Sequence, residues 1–438
     1  MRDTYRLKNF AKYASLNVLG MLGLSCYILA DTFFISKGLG ANGLTALNLA
    51  IPVYSLIHGS GLMIGMGGGI RYAILHSQGR SDAVDQVFTN ALCLALSLAV
   101  IFFGLGLGCS GPIARMLGAD DAVFGMSRTY LQVLLLFSPM FLLNNVLLCF
   151  VRNDGAPQLS MAAMVCGSFV NIILDYIFVF PLHMGIFGAV LATGFSPMIS
   201  ILIMLPFFLQ KKNHFHLCRC KVSGQCLTDI VSGGLPSLIT ELSSGIVILV
   251  SNMIILRLAG NVGVAAYGVI ANLSLVVISI YTGIAQGIQP IVSDAHGRGQ
   301  SSDIQAILRY ALATLVFLST ALYACIFFGT EQITAVFNSG GDPILQKIAS
   351  AGLCIYFTGG LFAGYNIILS AYLTSIERSR PAHILSFLRG FLLIIPMSFL
   401  LSSVGGMTGV WLAFPVTEGM VSLIGALLKN RRCTPRTP

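Results

Sequence analysis

Long apolar stretches, each interrupted by a short polar or glycine-rich interval, follow one another from the start of the chain to its end. An apolar helix of about 20 residues spans the hydrocarbon core of a bilayer. The pattern predicts spans near 13–36, 44–75, 87–109, 127–150, 159–181 and 185–209, then 233–257, 263–295, 306–329, 347–373, 382–402 and 406–428. They leave no room for a separate soluble domain. The fold class expected is all-α: a polytopic membrane protein of twelve transmembrane helices.

The pattern also repeats. Shifted by 220 residues, Gly40 falls on Gly260, Gly43 on Gly263, Ala46 on Ala266, Gly67 on Gly287, His76 on His296 and Gly79 on Gly299. Later in each copy the shift is 221, matching Gly185, Gly188, Leu191 and Ala192 with Gly406, Gly409, Leu412 and Ala413. The inner loops before the fifth span of each copy end in Pro157 and Pro381. The chain therefore divides into a six-helix bundle at 1–209, an inter-lobe linker at 210–232 and a second six-helix bundle at 233–438. An even number of spans gives both bundles the same orientation, so their pseudo-twofold axis runs along the membrane normal and a cleft lies between them. Rocking one bundle against the other would open that cleft to alternate sides, and the loop from Gln210 to Cys226 is expected to supply slack.

Composition fixes the surroundings of these helices. Of the 438 residues 56% are hydrophobic and 9% charged, with mean hydropathy +0.85; an average soluble domain carries about 25% charged residues. The surface of such a chain must face lipid. A net charge of +9 invites a nucleic-acid reading, but its distribution excludes one. With the N-terminus in the cytoplasm, 20 of the 25 Lys and Arg fall on the inner side, among them Arg2, Arg6, Arg71, Arg152, Arg378, Arg431, Arg432 and Arg436. That bias orients a membrane protein with both termini inside, and the expected location is the plasma membrane. The first residues are basic and run straight into a span, so insertion through that span is expected rather than a cleaved signal peptide.

Most of the 11 cysteines fall in or beside spans, where a thiol is a small apolar filler. His214, His216, Cys218, Cys220 and Cys226 cluster in the central inner loop, but their spacing matches no zinc module. The loop is read as a reduced, solvated linker without metal.

Ionisable groups inside spans are costly, and each needs a partner or a task. Asp31 and Asp175 lie at similar depth in the first and fifth spans, and Asn171 precedes Asp175 by one helical turn. With a hydroxyl from Thr193 they compose an oxygen-rich pocket for a small hard cation, or a carboxylate pair that carries a proton. The second half lacks this set: Ser251 and Pro396 stand at the equivalent positions, while Glu241, Glu418 and Arg389 are its embedded charges. Arg389 is a candidate to neutralise one glutamate. No HExxH, P-loop, GxSxG elbow or Rossmann glycine pattern occurs in a context that would support enzyme chemistry.

Several segments taken together are similar to the multidrug and toxic compound extrusion (MATE) transporters, in their bacterial branch of DinF-like and MepA-like proteins. They include Ala30 to Ala41, Met116 to Asp120, Arg152 to Pro157, Gly188 to Thr193, Ala265 to Asn272, Gln286 to Pro290 and Gly409 to Glu418. The resemblance implies antiport, in which Na+ or H+ enters while an amphipathic, often cationic compound leaves. It assigns the coupling-ion site to Asp31, Asn171, Asp175 and Thr193, and the substrate cavity to Tyr27, Asn272, Gln286, Gln289 and Glu241. It departs at Pro197, where family members often carry glutamine. No cofactor is implied beyond the coupling ion; the expected partners are small drug-like molecules and membrane lipid, and the expected state is a monomer. A flippase for a lipid-linked precursor, or a membrane-embedded enzyme or passive channel, are the alternative functions.

Overall fold

The computed structural model describes residues 2–338 and 341–430; Arg431, Arg432 and Arg436 of the basic tail lie outside them. Among the described residues eight helices are long and apolar enough to cross a membrane, and the pair Phe124–Leu136 and Ser138–Asn153, bent by 47°, makes a ninth. Three of these helices are themselves broken by a glycine: Gly40 in Arg2–Ser77, Gly260 in Gly224–Gly297 and Gly406 in Ile394–Asn430. Dividing at those breaks yields the twelve spans, arranged as two pseudo-twofold-related six-helix bundles.

The repeat is written into the backbone. Gly40 and Gly260 adopt φ 65, ψ −157 and φ 62, ψ −158, a region that side chains with a Cβ do not enter without strain. Gly79 and Gly299, at the ends of the second and eighth spans, share φ values of 72 and 69. Gly185 and Gly406 share φ values of 61 and 55. The short helices Ser110–Met116 and Thr330–Phe337 start 220 residues apart, as do the bend after Leu136 and the 3-10 turn Phe357–Gly359. At the first of these bends Pro139 follows Phe137 and Ser138; its missing N–H frees a carbonyl and permits the kink.

Two separate apolar cores result, one drawn from residues 35–230 and one chiefly from residues 254–421. They exchange helix ends. Phe10 and Ala14, in the first turns of the first span, belong to the second core, whereas Ile230, at the start of the seventh, belongs to the first. Contacts of Arg6 with Asp303, of Arg71 and His296 with Glu377 and of Arg378 with the Lys429 carbonyl place both described chain ends at one end of the bundle, hereafter the terminal face.

On that face the two halves meet backbone to backbone. A Cβ on Gly67 would stand 1.8 Å from the Ile230 carbonyl oxygen, and one on Gly234 1.8 Å from that of Met63. The equivalent Gly287 sits against the Ala14 backbone at 2.7 Å, and Gly283 against Val18 at 2.6 Å. Small residues permit such close crossings. Polar bonds complete the seal: Arg6 to Asp303, Arg71 to Glu377 at 2.6 Å and to Asp229 at 3.4 Å, and Asn153 with Gln289 reciprocally at 3.0 and 3.2 Å. Among the described residues, the hydrogen bonds and ion pairs joining 2–209 to 224–430 lie between this face and the Ser25–Ser279 contact at mid-depth.

The central linker differs from the slack loop expected of it. The His214 backbone N–H donates to Asp154 Oδ2 at 2.9 Å, that of His216 to Asp85 at 2.7 Å, that of Cys218 to Thr89 at 3.1 Å and that of Ser223 to Asn90 at 3.0 Å. Phe215 is 1% exposed and packs among Tyr72, Phe88 and Phe150. The segment is a strap on the first bundle, because a buried ring and four satisfied N–H groups fix it more firmly than solvent would. Among the described residues no three His, Cys, Asp or Glu side chains are grouped to hold a metal.

Candidate functional site: a buried oxygen pocket beside a central cavity

Asp31, Asn171, Asp175 and Thr193 are all buried, at 6%, 0%, 0% and 4% exposure. The first span brings Asp31 down from the Gly40 break by nine residues, or about 13 Å at helical rise. The helix Pro157–Val179 places Asn171 and Asp175 on one face, and Gly185–Leu209 turns Thr193 toward them. With its amide oriented by the surrounding donors and acceptors, Asn171 donates to Asp175 Oδ2 at 3.1 Å and accepts from the Thr193 backbone N–H at 3.2 Å. The Thr193 hydroxyl donates to the Ala189 carbonyl at 3.1 Å, which leaves its oxygen lone pairs available.

Asp31 Oδ1 and Asp175 Oδ1 are buried without any hydrogen-bond partner. Tyr130 lies in the electrostatic field of both carboxylates, and Asp175 in that of Asp31. No ion pair neutralises either aspartate among the described residues. Two unpaired buried carboxylates are costly by several kcal/mol each unless a cation or a proton joins them. The donor set of carboxylate, amide and hydroxyl oxygens suits a hard cation such as Na+.

Residues beyond the four expected at the ion site complete the pocket. Tyr130 of the fourth span is 4% exposed and its hydroxyl reaches Thr193. Tyr27, one turn from Asp31, shares a 2.8 Å hydroxyl–hydroxyl bond with Tyr54 of the second span. Tyr54 stacks on His58 with ring centroids 5.5 Å apart, and His58 Nδ1 pairs with Asn145 at 3.2 Å. A Tyr and a His one turn apart in an otherwise apolar helix form a polar face legible in the sequence; Tyr130 carries no such signal, since nothing near it in the chain is acidic.

Between the bundles lies a cavity of about 360 Å³. The first half contributes Met21, Leu24, Tyr54, His58 and Met66, and the second half Glu241, Tyr267, Gln286, Tyr356, Arg389, Phe414 and Glu418. A smaller cavity of about 60 Å³ carries Tyr27, Tyr54, Arg152, Pro197 and Gln286 in its wall, so Tyr54 and Gln286 face both. The residues expected to line the cleft separate accordingly. Glu241 and Gln286 face the large cavity and Tyr27 the small one. Gln289 is fully buried in its pairing with Asn153, and Asn272 is half-buried beside the lining residues Ala271 and Ser274.

Two charges take positions the sequence left open. Arg389 bonds Glu418 through Nε at 3.1 Å and Nη2 at 2.8 Å, while Asn366 donates to the other Glu418 oxygen at 2.7 Å. Arg152, counted among the inner-side basic residues, is 1% exposed and turns back into the lobe interface. Its Nη1 donates to Asn17 at 3.0 Å and to Gln286 at 2.8 Å.

The MatE family profile matches residues 18–177 and 236–400. The multidrug export protein MepA of Staphylococcus saprophyticus is 26% identical over 415 residues, covering 94% of this chain and 90% of that protein. MepA of Staphylococcus aureus strain MRSA252 is 24% identical over 417 residues, with the same coverage of 94% and 90%. Among solved structures, a MOP superfamily transporter from Pyrococcus furiosus superposes with a TM-score of 0.90 at 24% identity, covering 97% of this chain and 95% of that one. A multidrug resistance MATE family transporter described in an outward-facing conformation gives 0.89 at 23% identity, with coverage of 97% and 95%. The chain thus belongs to the MatE family and is a multi-pass membrane transporter, not an enzyme.

Proposed function

We propose that this transporter exports amphipathic, often cationic small molecules across the plasma membrane in exchange for Na+ or H+. The observation that carries the reading is the pair of buried, unpartnered carboxylate oxygens at Asp31 and Asp175, held beside the Asn171 and Thr193 oxygens. Such a pair is a sink for one cation and discriminates sharply between its occupied and empty states.

The bias of basic residues supports a cytoplasmic terminal face. The seal on that face then leaves the central cavity in communication with the outside, ready to release a compound and take up the ion. The moving bodies are the lobes 1–209 and 233–438, acting as a monomer. Occupation of the aspartate site changes the charge one turn above Tyr27, and the Tyr27–Tyr54 bond carries that change to the cavity wall. The compound is held by aromatic faces at Tyr54, Tyr267, Tyr356 and Phe414 and by the carboxylate of Glu241. An inward-moving cation supplies about 2.3 kcal/mol per 100 mV, equivalent to roughly 50-fold accumulation.

Purified protein in lipid vesicles tests the reading. Uptake of a lipophilic cation driven by an opposed Na+ or proton gradient is the expected result, and whichever ion drives it identifies the coupling. Uptake indifferent to both gradients overturns antiport.

A further inference from the structure

We propose that Arg152 is a specificity-determining residue for ion exchange: its unneutralised charge, set at the floor of the small cavity, bars the coupling cation from slipping through the closed terminal face. The proposal rests on the cation-exchange reading and adds the group that stops the ion from crossing without cargo.

The position follows from the layers around it. Arg152 lines the small cavity, and Gln286, which accepts from its Nη1, lines both cavities. Gln286 lies between Gly283, which crosses Val18, and Gly287, which crosses Ala14, so the guanidinium stands at the edge of the backbone-to-backbone seal. The next residue, Asn153, is already within the seal through its pairing with Gln289. Along the first span Asp31 lies 14 residues to the outer side of Asn17, the other acceptor of Nη1, or about 21 Å at helical rise. The charge is therefore interposed between the aspartate site and the terminal face.

Nothing neutralises it. Among the described residues Arg152 makes no ion pair. Asp154, the nearest carboxylate along the chain, turns instead to Tyr72 and, at 2.8 Å, to His214 of the strap. Beyond its two amide oxygens Arg152 meets only Met66 Sδ at 3.2 Å and Cys149 Sγ at 3.4 Å, both weak acceptors, and its Nε is buried without a partner. A cation buried on such terms works against folding.

The repeat does not require it either. The 221 shift that matches Asn145 with Asn366 and Leu148 with Leu369 puts the fully buried Leu373 at this position. The charge thus belongs only to the lobe that holds the aspartates. A neutral amide could bridge Asn17 and Gln286; what arginine adds is a permanent positive charge. Fixed positive charge in a narrow passage excludes cations and protons. Between unit charges about 6–12 Å apart, at an effective dielectric of about 20, the repulsion corresponds to roughly 10- to 100-fold.

Cargo-free entry of the coupling ion into lipid vesicles tests the barrier, with cargo-evoked ion counterflow and glucose retention recorded in the same preparations. Arg152→Gln keeps a hydrogen-bonding side chain without the charge and is expected to raise cargo-free ion entry roughly 10- to 100-fold while glucose stays retained. Arg152→Lys keeps the charge but loses the fork, and should stay close to the parent. Arg152→Gln/Gln286→Arg returns the charge to the same layer from the other lobe and should restore the low entry rate, which separates a lost charge from a misfolded variant. Ion entry within about twofold of the parent in Arg152→Gln overturns the proposal. Equal entry in the Gln and Lys variants, or glucose leaking beside the ion, overturns it too, since either marks a broken latch rather than a lost charge. If the parent shows no cargo-evoked counterflow, the exchange reading fails and this proposal with it; counterflow in the parent without a rise in Arg152→Gln fails the proposal alone.

Discussion

The two halves of this transporter share a backbone and divide the chemistry. Gly40 and Gly260 take the same Gly-only dihedrals 220 residues apart, and Gly67 and Gly287 make equivalent crossings onto the opposite lobe. Yet the first half buries two aspartates without a counterion, whereas the second buries Glu418 against Arg389 and Asn366. An unpaired carboxylate responds to an ion; one already paired with a guanidinium does not. On the proposed reading the shared scaffold sets the motion in both halves, and the pair of aspartates, for which the second half offers only the single Glu241 in its cavity wall besides the paired Glu418, senses the gradient.

The comparison breaks most visibly at the aspartates. If the aspartates hold the coupling ion as proposed, Asp175→Asn or Asp31→Asn removes its charge partner, and the roughly 50-fold accumulation that one ion supplies at 100 mV is expected to vanish in vesicle transport. Cargo binding, measured by fluorescence quenching of a lipophilic cation, should persist in both variants. If accumulation survives, the coupling site lies elsewhere.

Next come the glycine crossings, where the halves should respond alike. Gly67→Val and Gly287→Val each place a side chain inside the opposite backbone. Both are expected to hold the terminal face open, with thiol labelling of cysteines introduced at the terminal-side cavity wall rising severalfold. Gly104→Val, whose Cβ meets nothing within 4 Å, should leave labelling unchanged.

Smaller and symmetric effects are expected at the helix breaks. Gly40→Ala and Gly260→Ala force a Cβ into a backbone region reserved for glycine and should each cost about 1–3 kcal/mol, read as comparable falls in Tm. Unequal losses would show that one break is locked by its surroundings and the other is not.

The smallest effect concerns the seal. Glu377 titrates below its ordinary 4.5 because it bonds His296 and Arg71, with burial opposing. A carboxylate lowered in this way stabilises the closed face fully above its unpaired value of 4.5, and the contribution is lost as pH falls through the lower, closed-state value. Closure measured by labelling should therefore weaken in that acidic range, and Glu377→Gln should remove this component. With 43% of its side chain exposed, the effect is expected to stay within about 1 kcal/mol.

Much of this was legible in the chain because glycine turns and lipid-facing composition act locally. The span order, the 220-residue repeat, the shared helix face of Asn171 and Asp175 and the need of Asp31 and Asp175 for a partner follow from helical period and the cost of charge in lipid. Tyr130, the inward turn of Arg152 and the pairing of Gln289 with Asn153 do not, since each depends on which helices become neighbours. The docking of the linker is hidden in the chain for the same reason. His214, Phe215 and Cys218 look like a polar loop until Asp154, Phe88 and Thr89 are placed beneath them.

The most direct test of the division between halves is ion movement evoked by cargo. Vesicles containing the parent protein and loaded with Na+ or buffered at low internal pH are challenged with a lipophilic cation, and counter-movement of the ion is recorded. The expected result is an ion flux opposite to the cargo, abolished in Asp31→Asn/Asp175→Asn although that variant still binds the compound. Persistent ion exchange in the double variant would contradict the assignment of coupling to the first half.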